Sequence, residues 1–508
     1  MSKFGVIDWL VICIYLGGTG VLFGYFARKR KNLQDFLLAG RKMGWFPLAL
    51  SILASGVSAI SMLGTPTYIF RENLQMAVPT LILSVPLTIF IGLRMIPALY
   101  LLKSYTIYEY LELRFHRYIR TAVSIMQILT KLSWVATIIY VPSLIISTVS
   151  TMPSWVSILL IGLIAVVYTT FGGYESIVWA DMIHFAAIMI GLIAVCTILI
   201  LEFDGSIFNL WREAQLSGST RVLNYSFDFK AEATIWAVMA SMVISTLGMF
   251  GTDQMIVQKC YAAKNLRSAI WSMVGNSIIG VPFLLLLITL GLGLAAFFHA
   301  SPQDYQALLA TDPDPGKALD KAIPYFITNK VPVGIGGLFV AAVLAVTISS
   351  VNSGITTLAT ITLKDLVEKL VVKSWKNENS SMLASRLMTL GFGIIATIIA
   401  LWVGKIGTIV KIFAILYSFI GSPLFGVFML GLFTKRTNNF GIVCGLLAGY
   451  ITCPLCYFVW EVNWVWLGAM VTLSVTSVGY FSSIIYRWVK NDYVYSKYTW
   501  KYKGEETN

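Results

Sequence analysis

Long apolar runs separated by short polar clusters dominate this chain. Val156 to Thr170, Ile183 to Leu201 and Ile270 to Phe298 carry almost no charge. A helix needs about 20 apolar residues to cross the hydrocarbon core of a membrane, and runs of about 18 or more read as spans. A β-barrel would show short alternating segments instead. The pattern predicts thirteen spans, near 5–26, 45–70, 75–101, 120–147, 153–172, 177–201, 234–257, 268–298, 331–363, 384–404, 408–433, 438–460 and 463–486. The fold class is therefore all-α and polytopic, with the whole chain forming one transmembrane domain. The two longest loops, 202–233 and 299–330, are too short to hold another domain; the second contains the turn cluster Asp312-Pro-Asp-Pro-Gly316.

Composition narrows the class. Of the 508 residues, 57% are hydrophobic and 12% charged, against roughly 25% charged in soluble chains. That excludes a soluble enzyme and a disordered scaffold. The net charge of +13 is a sidedness signal. With the N-terminus outside, 26 Lys/Arg fall on inner segments and 10 on outer ones, leaving Lys131 in mid-membrane. Cytoplasmic loops hold the Lys/Arg excess, so the expected placement is a multi-pass plasma-membrane protein, N-terminus outside and C-terminus cytoplasmic. No soluble domain gathers the basic residues, so no nucleic-acid partner is expected. The Arg28–Lys31 run reads as a stop-transfer anchor, and the first span as a retained helix, because it lacks a basic n-region and a cleavage site. Six cysteines in or beside spans suggest no disulfide framework, and Cys453 and Cys456 read as packing. Three scattered histidines make no transition-metal site. Without a constellation of catalytic side chains, no enzyme and no organic cofactor are expected.

The scarce polar groups inside the spans are the candidates for chemistry. The second span packs Ser51, Ser55, Gly56, Ser58 and Ser61 into an apolar helix. Small residues there suit either close helix packing or a broken helix whose freed carbonyls line a cavity. The ninth span carries Thr347-Ile-Ser-Ser-Val-Asn-Ser-Gly-Ile-Thr-Thr357, with Ser349, Ser350 and Ser353 on one face. Such hydroxyls are hard ligands suited to a small cation. Asp181 is either a cation ligand or a helix-start carboxylate favoured by the dipole. Lys131 is either paired with a buried carboxylate or carbonyl, or a countercharge for an anionic substrate.

Several segments, taken in order, resemble the sodium:solute symporter family. They are Asp35-Phe-Leu-Leu-Ala-Gly-Arg41, Ser51 to Pro66, Thr106 to Phe115, Phe171-Gly-Gly-Tyr-Glu-Ser with Trp179-Ala-Asp181, Gly251-Thr-Asp-Gln with Val257-Gln-Lys, and the serine-rich ninth span ending in Leu363-Lys-Asp-Leu. The wording is closest to the monocarboxylate, multivitamin and iodide branch, with bacterial sialic-acid symporters as relatives. The resemblance implies a five-plus-five inverted-repeat core of the LeuT-like kind. The first repeat would be 45–201 and the second 234–433. An extra helix and basic loop (1–44) would precede them, and two helices (438–486) and a cytoplasmic tail (487–508) would follow.

The resemblance further implies a main sodium site from the carbonyls of Ala54, Val57 and Val346 and the hydroxyls of Ser349 and Ser350. A second sodium site, present in some members, would involve Asp181, Ser349 and Ser353, with Asn352 standing where serine is usual. Positions matching the sialic-acid contacts hold Gly56, Ser58, Ser61, Met76, Thr80 and Trp134. Trp134 replaces the carboxylate-binding arginine, and Lys131 lies three residues before it. The expected function is sodium-coupled import, by alternating access, of a small organic anion such as a monocarboxylate. Substrate would bind against spans 2, 3, 4 and 7. Sugar, sialic acid or vitamin symport is the alternative, followed by a proton-coupled carrier and a transporter-like sensor. The chain is expected to work as a monomer, with sodium as its coupling ion and the bilayer and a small solute as its partners.

Overall fold

The structure, a computed structural model, describes residues 4–27, 32–149, 152–231, 234–371, 378–403, 417–490 and 498–500. The expected anchor Arg28–Lys31, the start of the eleventh span and most of the tail lie outside the described residues. Among the described residues, the chain is helical apart from one isolated parallel bridge between Met43 and Ala263. Ten helices among the described residues are long and apolar enough to cross a membrane, or eleven when the bent pair Trp45–Gly56 and Ala59–Arg71 counts as one span. Two shorter apolar helices, Ser154–Thr170 and Ser422–Phe433, fall where the fifth and eleventh spans are expected.

Helix starts follow local chemistry. Thr234, Asn265 and Asn438 each accept, through the side chain, the backbone N–H three residues on, satisfying a donor that the first turn leaves unpaired. Between the fifth and sixth spans the expected inner segment at 173–176 is reduced to a sharp kink. Helices Ser154–Thr170 and Gly172–Leu201 meet there, with the chain redirected at Gly173 (φ 67, ψ 174). A positive φ is open to glycine without steric cost, so one residue turns the chain and helical pairing resumes at once. The seventh span is itself interrupted. Ile235–Thr252 stops at Asp253, which is extended (φ −82, ψ 125) and caps a second helix, Gln254–Tyr261.

Helix Ile335–Ile361 forms the centre of the fold, and every residue from Phe339 to Ile361 is buried. It packs against Ser154–Leu201, Arg117–Val149, the first helix Val6–Ala27 and Trp45–Gly56. Its hydroxyls therefore have no water and must be satisfied by protein or by an ion.

Its N-terminus is held from outside the bundle core. Buried Asp8, on the first helix, accepts the N–H of Gly334 at 2.7 Å and of Gly337 at 2.6 Å. A Cβ on Gly337 would come within 2.5 Å of the Asp8 backbone, so only glycine permits this approach. Carboxylates favour the positive end of a helix dipole. Asp8→Ala should lower stability by about 1–3 kcal/mol, because it strands two helix-start donors. Thermal unfolding in detergent checks this, and an unchanged midpoint would mean that the clamp is decorative.

Candidate functional site

The site begins with a failure of helix. Leu53-Ala-Ser-Gly-Val-Ser58 combines serines, a glycine and a β-branched valine, all weak helix formers. The chain leaves the α conformation at Val57 (φ −76, ψ 129) and Ser58 (φ −116, ψ 168), and restarts at Ala59 bent by 61°. Carbonyls in the last turn before such a break lack their usual donors and carry the negative end of the dipole.

The serine-bearing helix crosses at this point. The Ser350 hydroxyl lies 2.9 Å from the Val57 carbonyl oxygen and 3.2 Å from that of Ser55. Ala54 is buried in the same last turn, and Val346 is buried one turn before Ser350. A hydroxyl and freed carbonyls are hard oxygen donors of the kind that hold hard cations. The residues present fit a small monovalent cation.

Beside the crossing lies a second cluster, centred on Asp181, which is 1% exposed. Its Oδ2 accepts from Ser51 Oγ at 2.5 Å, Ser55 Oγ at 3.2 Å and Lys259 Nζ at 2.9 Å; its Oδ1 accepts from Ser349 Oγ at 2.6 Å. Ser55 Oγ also lies 2.8 Å from Ser353 Oγ. The structure thus brings Asp181, Ser349 and Ser353 together, the grouping the resemblance implies, and buries Asp181 within the cluster. Asn352 points elsewhere, its Oδ1 accepting from Thr169 on the fifth span at 2.7 Å.

Gly56 and Lys131, two of the expected substrate residues, lie beside the seventh span near its break. Gly56 faces Met249 and Phe250; a Cβ there would sit 3.4 Å from the Met249 methyl. Ser58 is buried and Ser61 half-buried. Lys131 donates to Asp253 Oδ2 at 2.5 Å, and its ammonium stands 4.5 Å from the centre of the Trp134 ring. Pairing with a carboxylate, one of the two readings of Lys131, is therefore what the structure contains. Met76 and Thr80 lie together elsewhere: Met76 packs against the buried cluster that includes Ala237, Val238 and Trp466, and Thr80 Oγ1 lies 3.0 Å from Met242 Sδ.

Two important residues escaped the sequence reading. Lys259 follows the expected seventh span, 234–257, and so falls among the basic residues of an inner segment, yet its side chain is wholly buried. Its signals are its place in the family-like segment Val257-Gln-Lys and its position just past the apolar stretch Met255-Ile-Val257. Asp253 looked like part of a motif, with nothing to mark it as the partner of a lysine 122 positions away.

A broken membrane helix whose freed carbonyls meet a buried hydroxyl helix, with a carboxylate alongside, defines an ion-coupled membrane carrier. The model of the sodium:solute symporter family matches residues 36–449, and the chain belongs to that family. It is a sodium-coupled symporter, in a family of transporters and not of enzymes. Among relatives, cow (Bos taurus) sodium-coupled monocarboxylate transporter 2 is 27% identical over 460 residues, covering 89% of this chain and 72% of the relative. Rabbit (Oryctolagus cuniculus) sodium-dependent multivitamin transporter is 27% identical over 480 residues, covering 93% and 72%. A solved Na+-coupled sialic acid symporter superposes with a TM-score of 0.85 at 23% identity, over 95% of this chain and 98% of that one. A nucleobase-cation-symport-1 transporter gives a TM-score of 0.52 at 13% identity, over 91% and 96%. These two likenesses support the fold.

Proposed function

We propose that this chain imports a small organic anion of the monocarboxylate class together with sodium, by alternating access. The observation that carries the sodium site is the meeting of Ser350 with the carbonyls of Ser55 and Val57. Ala54, Val57, Val346, Ser349 and Ser350 are the proposed ligands, and the ion would enter where one hydroxyl now bridges two carbonyls. Breaks in both the second and the seventh spans, each the first helix of an expected repeat, support a five-plus-five inverted-repeat core. The ten long apolar helices, the bent pair and the two shorter apolar helices among the described residues support thirteen spans. The N-terminus would lie outside and the C-terminus in the cytoplasm of a cell-membrane monomer. Sodium moving inward down its gradient gains about 2.3 kcal/mol per charge for each 100 mV of potential. It shifts the carrier between states only by its difference in affinity for them.

The monocarboxylate class draws on two supports: the relatives' names, and an intramembrane ammonium between Trp134 and Asp253. In this reading a substrate carboxylate takes up part of the Lys131 charge that Asp253 now holds, next to Gly56, Ser58, Ser61, Met76, Thr80 and Trp134. A second reading, a neutral sugar or a vitamin, is favoured by that same ion pair, because Lys131 is already neutralised.

The test uses proteoliposomes with sodium replaced by choline. Concentrative uptake should collapse; undiminished uptake would rule out sodium coupling. Lys131→Gln should cut uptake of short monocarboxylates by tenfold or more, the scale of one lost charge-assisted bond. If every anionic solute were taken up as before, the anion reading would fail and the neutral one would stand.

A further inference from the structure

A buried carboxylate needs positive charge beside it, which in a sodium symporter could come from the ion or from the protein. At Asp181 it comes from the protein. We propose that the Lys259 ammonium is the resident cation of the Asp181 cluster, and that the chain therefore carries one sodium per cycle, at the crossing of Val57 and Ser350. This rests on the sodium-symport reading and concerns how many ions that symport uses.

Three observations support it. First, the carboxylate is already saturated: Ser51, Ser55, Ser349 and Lys259 all donate to it, about as many bonds as two carboxylate oxygens accept. Lys259 Nζ also donates to Ser51 Oγ at 2.5 Å, which in turn donates to Asp181, closing a ring of donors around one oxygen. Second, the ammonium has nowhere to retreat. Lys259 is 0% exposed, and Gln258 and Cys260 on either side are equally buried. A sodium ion at Asp181 would have to share one carboxylate with a fixed cation, in surroundings where like charges repel far more strongly than in water. Third, the amide that would complete a second ion site is engaged elsewhere, because Asn352 Oδ1 accepts from Thr169. At the Val57–Ser350 crossing, by contrast, the bonded groups are a hydroxyl and two carbonyls, all neutral. A mobile cation supplies the charge missing there, whereas at Asp181 it would duplicate a charge already present.

The experiment is equilibrium binding of radioactive sodium to purified full-length protein. Wild type should bind one sodium per chain, without cooperativity; two per chain would overturn the proposal. Lys259→Met vacates the position while keeping its length, so Asp181 should gain an ion and saturation should double. Saturation still at one would show that the lysine is not what excludes the second ion. The double variant Asp181→Asn with Lys259→Met removes both charges and guards against misfolding of the single one. It should bind one sodium with half-saturation within about threefold of wild type, and complete loss of binding would place the ion at Asp181 and refute the assignment. If wild type bound no sodium at all, the sodium reading itself would fall, a result distinct from binding two.

Discussion

Ser350→Ala should raise the sodium concentration for half-maximal uptake by about ten- to a hundredfold, at unchanged protein level. Ser350 is fully buried, and its hydroxyl lies on the carbonyls of Ser55 and Val57 at the helix break. Removing the oxygen deletes a proposed ion ligand and also leaves those carbonyls without their donor. A bond to a charged partner contributes about 1.5–3 kcal/mol, and each 1.4 kcal/mol is a tenfold change in affinity. Alanine is smaller than serine, so the fold should tolerate it. Maximal rate at saturating sodium should change little, because the lost interaction belongs to ion binding. A sodium titration of uptake decides the matter, and Ser350→Thr, which keeps the oxygen, is the control. Unchanged half-saturation in the alanine variant would move the ion away from this crossing.

Asp181→Ala should all but abolish folded, active carrier. The change leaves the Lys259 ammonium in the bundle with only Ser51 Oγ of its present partners. Breaking a buried ion pair from one side costs about 3–5 kcal/mol, a large part of the stability of an ordinary domain. Yield of monodisperse protein and thermal unfolding in detergent measure the effect. Adding Lys259→Met should restore most of the yield, because the double variant has no stranded charge. A single variant as stable as wild type would show that the pair adds little, and that water or lipid headgroups reach the lysine after all.

The two predictions differ in how far sequence could lead to them. Ser350 was legible: a hydroxyl at nearly every other position of an apolar span has few uses in a membrane, and helical spacing alone puts Ser349, Ser350 and Ser353 on one face. The break at Val57 was foreshadowed by the weak helix formers around it. Lys259 stood in a family-like segment, but its pairing was not legible, because its partner Asp181 lies 78 positions away. Hydropathy averages over a window, so a single lysine at the end of the seventh span registers as the edge of a loop. The turn at Gly173 was legible, as the break at Val57 was, since a glycine pair beside a glutamate has the composition of a turn and the two helices do meet there at a kink.

By itself the sequence determined that the chain is a helical membrane protein, roughly where it crosses, which spans carry hydroxyls, and which family its motifs follow. Those properties are local: each depends on residues within about 20 positions of one another, the length of a span. Only the tertiary structure decided which polar group answers which. It placed Ser350 on the Val57 carbonyl, Asp8 on the start of the central helix, Lys131 on Asp253, and Lys259 on Asp181. In a bilayer every buried polar group must find its partner inside the protein. The packing of distant helices settles that choice, and with it which carboxylate already holds a charge and which oxygens are left for an ion.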